Sequence, residues 1–86
     1  MKTGFAIFIN SLAEGSVPLV YDGSGKPSIF RTQIEAQREV ADNIITRLQE
    51  FIEGQRDFDD ALFVEEYILK VAVLPDGSIQ TLTYSE

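Results

Sequence analysis

Apolar side chains fill both alternating sets of the run Phe5-Ala6-Ile7-Phe8-Ile9, which predicts a central strand covered on both faces. After a loop at 10–16, Val17, Leu19 and Tyr21 alternate along a second strand. Pro18 donates no ladder hydrogen bond there and favours an edge position. The segment Asp22-Gly23-Ser24-Gly25-Lys26 reads as a turn, and 27–30 as a short third strand.

The period then changes. Thr32-Gln33-Ile34-Glu35 has the spacing of a capping box, in which the Thr hydroxyl accepts from the third helical amide and the Glu reaches back. A helix is predicted from Gln33 to Glu53, with Gly54 as its terminating glycine. Ile34, Ala41, Ile44, Ile45, Leu48, Phe51 and Ile52 recur at helical spacing and are expected to form one buried stripe. A connector over 56–62 has room for one helical turn capped by Asp57.

The chain then returns to period two, with strands over 67–74 and 78–84 around Pro75-Asp76-Gly77. Proline presets a type I turn, and glycine takes the left-handed position that closes a three-residue loop with a bulge. That loop sets Leu74 opposite Ser78, Val73 opposite Ile79, Val71 opposite Thr81 and Leu69 opposite Thr83. The face carrying Tyr67, Leu69, Val71 and Val73 is the expected helix-packing face. The opposite face carries Ile68, Lys70, Ala72, Gln80, Leu82 and Tyr84. On it Ile68, Leu82 and Tyr84 cluster, either under the chain's own connector or as an interaction surface. The sum is one α+β domain over 1–86. Its element order is β-β-β-α-β-β, with a mainly antiparallel sheet of four to five strands and one long helix on one face.

Charge sharpens this picture. Lys2, Lys26 and Arg31 against Glu14 and Asp22 leave residues 1–34 at net +1, while 35–86 carry twelve acids against four bases, net −8. Acids are densest from Glu50 to Glu66, where Arg56 alone opposes Glu50, Glu53, Asp57, Asp59, Asp60, Glu65 and Glu66. No basic face exists to release counterions from a phosphate backbone, so direct nucleic-acid binding is not expected. The absence of both Cys and His removes thiolate and imidazole chemistry, and with it most hydrolytic and metal-binding arrangements. The chain is read as no enzyme, with no cofactor.

Three candidate chemistries fail on their spacing. In Asp57-Phe58-Asp59-Asp60-Ala61-Leu62, Ala61 and Leu62 stand where a calcium loop needs its third acid and its glycine; helix capping and a solubilising rim are the favoured reading. The Asp22–Pro27 turn lacks the phosphate-loop pattern and leads into a strand, so it is read as a plain turn. Lys70 and Tyr84 lack any sign of a desolvating pocket, and a snorkelling strand lysine suffices. The N-terminal apolar run, Phe5–Ile9, is shorter than a signal-peptide core, and no stretch approaches a membrane span, so a cytoplasmic protein without membrane contact is expected.

What remains is a non-catalytic protein-binding or regulatory module. Its candidate surface combines Ile68, Leu82 and Tyr84 with the acidic rim of Glu50, Glu53, Asp57, Asp59 and Asp60. Homodimerisation through the hairpin's outer face or an edge strand is a related expectation, since the core is small. An alternative is an acidic inhibitor that imitates nucleic acid, as small phage-encoded proteins do. A third comes from Phe30-x-Thr32-x-x-Glu35-Ala36 opening a helix after two strands and a short third. That order is loosely similar to the HicB-like antitoxin domain over about half the chain and implies an antitoxin-like function. The Pro-Asp-Leu-Pro-Gly-like segment of that family is absent here, and the final hairpin extends past its usual unit.

Overall fold

A computed structural model describes residues 2–82. Its elements are β1 (Lys2–Ser11), β2 (Gly15–Pro18), α1 (Gln33–Ile52), α2 (Phe58–Leu62), β3 (Tyr67–Val73) and β4 (Ile79–Thr81). The strands form one antiparallel sheet in the order β2-β1-β3-β4, so the fold is α+β, as the pattern predicts.

β1 is central, as its two-sided apolar pattern requires. It pairs with β2 through Phe8–Pro18 and Ile9–Val17, and with β3 through Phe8–Tyr67, Ile7–Ile68 and Ala6–Leu69. Pro18 sits on the edge strand, where its missing amide is harmless. The expected third strand is reduced to two isolated bridges, Tyr21–Pro27 and Phe5–Phe30, leaving four strands. Two hydrogen bonds between the Phe5 and Phe30 backbones bring this excursion back beside β1. The approach is close: a Cβ on Gly4 would lie 2.5 Å from Ile29 Cγ2 and 2.9 Å from the Phe30 carbonyl oxygen.

The final hairpin keeps the expected register, with Val73 opposite Ile79 and Val71 opposite Thr81. The Gly77 amide donates to the Leu74 carbonyl at 2.9 Å, and Gly77 adopts φ 87°. The left-handed bulge position is therefore where the turn chemistry puts it. Lys26 Nζ reaches across to donate to the Asp76 carbonyl at 2.6 Å, tying the Asp22–Lys26 turn to this hairpin.

Each sheet face has a different cover. Ala6, Phe8 and Val71 are buried on one face, with Ile29, Tyr67, Leu69 and Ile79 packed on them. The other face carries buried Ile7 beside Ile68, and α1 meets the sheet there: Glu66 and Ile68, two residues apart, both face it. This reverses the expected assignment, in which the helix covers the Leu69–Val71 face. The 21–30 excursion occupies that face instead: it returns along β1 and lays Ile29 over the Ala6, Phe8 and Val71 cluster.

Candidate interaction surface

α1 is terminated as its sequence dictates. Thr32 is extended at the N-cap, and its hydroxyl accepts from the Glu35 amide at 3.2 Å. At the far end the Gly54 amide donates to Phe51 O and the Gln55 amide to Glu50 O at 2.8 Å, with Gly54 at φ 80°. That pair of bonds is a Schellman closure. The connector's helical turn is α2. Asp57 occupies its N-cap, but without a side-chain cap hydrogen bond.

The buried side of α1 is not the expected stripe. Ala36 is fully buried, and Val40, Ile44, Arg47 and Leu48 are partly buried. Phe51 is 39% exposed, and four further members of the expected stripe face solvent: Ile34 at 59%, Ile45 at 62% and Ile52 at 71% exposure, and Ala41. At 3.6 residues per turn these four fall within roughly 40° of one another, a narrow row along the helix. The helix thus has two apolar faces; the expected stripe holds the outer row with Ile44 and Leu48 of the inner one, and lacks Ala36 and Val40. The separable signal is the four-residue repeat Ala36-Val40-Ile44-Leu48, whose small first member allows close approach to the sheet.

Arg47 holds the inner face in place. Its Nη1 donates to Glu66 Oε2 at 3.1 Å and its Nε to the Ala61 carbonyl at 3.4 Å, joining α1, α2 and the start of β3. The Glu66 side chain is 3% exposed. Burial pushes its carboxyl upward, but its own backbone amide, Arg47 and Asn43 outweigh that and hold it below the ordinary range. Beside this pair an open groove of about 370 Å³ is lined by Gln37, Val40 and Ile44, by Ala41 at its solvent edge, and by Glu66, Tyr67 and Ile68.

The acidic segment is partly self-neutralised. Arg56 bonds Glu50 Oε1 and Asp60 Oδ2, each at 2.7 Å. Hydrogen bonds to Glu50 raise the Arg56 pKa further. Glu53 accepts from Gln49 Nε2 at 2.9 Å, while Asp57 and Asp59 are exposed. Apolar residues surround this rim: Phe51 packs edge-on to Phe58, with ring centres 5.1 Å apart, and Leu62, Phe63 and Val64 are exposed.

The candidate residues are therefore not one patch. Ile68 is partly buried beside α1, and Leu82, whose amide donates to Lys70 O, is 37% exposed on the same sheet face. Tyr84 lies outside the described residues. Glu50, Glu53, Asp57, Asp59 and Asp60 gather around the end of α1 and α2. Among the described residues no three acids converge as a metal site, and no helix is long and apolar enough to cross a membrane. Comparison with protein-family models, curated proteins and solved structures finds no match.

Proposed function

We propose that this chain is a non-catalytic protein-binding module whose contact surface is the solvent-facing apolar side of α1 and α2. One observation carries the reading: large apolar side chains lie exposed along α1 and α2 and just after them, Ile34, Ile45, Ile52, Leu62 and Phe63 each at least half exposed. Arg56 neutralises two acids of the rim, which supports apolar docking over imitation of a phosphate backbone.

The test is affinity capture with the immobilised chain and with its Ile52→Asp and Phe63→Asp variants, at low and high salt. A partner, the chain itself included, held at high salt by the wild type and lost from both variants is the expected result. Identical captures by all three would sink the reading, and a partner lost by the wild type at high salt would favour an electrostatic mimic.

A further inference from the structure

Two hollows flank the Lys2–Val73 pair at the end of the sheet. One, of about 510 Å³, is lined by Lys2, Thr3, Ile29, Phe30, Arg31 and Val73. The other, of about 500 Å³, continues past Lys2 and Val73 to Leu74, Pro75 and Gly77. We propose that together they form a binding trough for a small amphipathic carboxylate. Its headgroup is held between Lys2 and Arg31, and its apolar chain lies along Val73, Leu74 and Pro75.

The lining has the make-up of a small-molecule site, mostly apolar with a few polar groups gathered at one end. Ile29, Phe30, Val73, Leu74 and Pro75 supply the walls, and Thr3 sits with the two bases. The trough crosses the strands instead of following them. Phe30 bridges to one edge of β1, β3 pairs with the other edge, and β4 follows β3. Three strand spacings give a length of roughly 14 Å, which accommodates a medium-length acyl chain.

Charge selects the sign of the headgroup. Lys26 is committed elsewhere: its Nζ donates to the Asp76 carbonyl at 2.6 Å. Lys2 and Arg31 are in no ion pair among the described residues. The acids of the two adjoining turns face into those turns. Asp22 Oδ1 accepts from the Ser24 and Lys26 amides, and Asp76 Oδ1 from the Ser78 amide. Among the described residues no acid lines either hollow. The whole chain carries net −7, so its field draws no anion in from a distance, and contact with the two bases has to provide the recognition. None of the lining residues belongs to α1 or α2, so this inference goes beyond the protein-binding reading and does not rest on it.

The test is a titration of the isotope-labelled chain with octanoate, read by amide chemical shifts, beside octanol and acetate. Saturable octanoate shifts centred on Thr3, Arg31, Val73 and Gly77 are expected in the high-micromolar to millimolar range, the strength that about ten non-hydrogen atoms provide. Octanol has the chain without the charge and should bind at least about threefold more weakly. Acetate has the headgroup without the chain and should give no saturable shift. Lys2→Gln and Arg31→Gln should each weaken octanoate about threefold or more with far-UV circular dichroism unchanged, since both side chains are exposed. Arg38→Gln removes an exposed base of α1 and should leave octanoate binding as it was. Shifts that never saturate, that centre on Ile45 and Ile52 instead, that octanol reproduces at equal strength, or that survive both substitutions at the trough each overturn the inference.

Discussion

Glu66 is where α1, α2 and β3 meet, and its environment makes acid sensitivity a local property. Its pKa is lower in the folded chain than in the unfolded one. Its contribution is therefore complete above the ordinary glutamate pKa of 4.5 and is lost as pH falls through the lower folded value. Glu66→Gln is expected to cost about 1–3 kcal/mol at neutral pH, because the Arg47 guanidinium loses its charged acceptor. The same variant should show a shallower decline in thermal midpoint below that pH, measured by calorimetry at a series of pH values. An unchanged acid limb would mean that other carboxylates carry it. Nothing in the pair Glu65-Glu66 marks one as buried and the other as exposed. The distinction comes from strand parity at the start of β3, and from Arg47 nineteen residues earlier.

Among the elements, α1 was legible at its ends and misleading along its length. Thr32 and Gly54 each act through backbone groups within a few residues of themselves, so local sequence suffices to place them. Thr32→Ala removes the bond to the Glu35 amide and should cost about 1 kcal/mol, or 4–8 °C in melting temperature for a domain of this size. A melt within a degree of wild type would show that the cap bond contributes nothing. The final hairpin was equally legible, because Pro75-Asp76-Gly77 sets the loop length and the loop length sets the register. Which of two apolar helix faces meets the sheet is a different kind of question. Ile34, Ala41, Ile45 and Ile52 satisfy helical periodicity as well as Ala36, Val40, Ile44 and Leu48 do. The choice follows from where the 21–30 excursion leaves the sheet uncovered. The acidic rim's pairing has a different cause: Arg56 meets Asp60 four residues on, and reaches Glu50 only because Gly54 turns the chain.

Viewed whole, the molecule is drawn out: its radius of gyration is 14.5 Å, against about 12 Å for a compact chain of this length. Among the described residues the fully buried apolar side chains are few and mostly small, with Ile7 and Val71 the largest. Burial of the α1 face against another surface would therefore add to stability as well as to recognition. The strand order carries a kinetic consequence of its own. β1 is paired along its length with β3, so Lys2 meets Val73 and Phe8 meets Tyr67, closing a loop of roughly 60–70 residues. The β3–β4 hairpin and the capped α1 are local and can form early, whereas the β1–β3 seam must close the long loop between its strands. Ile7→Val should therefore leave the refolding rate close to wild type and raise the unfolding rate about 2- to 12-fold in stopped-flow experiments. Slower refolding would place β1 in the nucleus instead. Synthesis and assembly are then far apart in time: the most apolar strand is made roughly 60 residues before the strand that pairs along it.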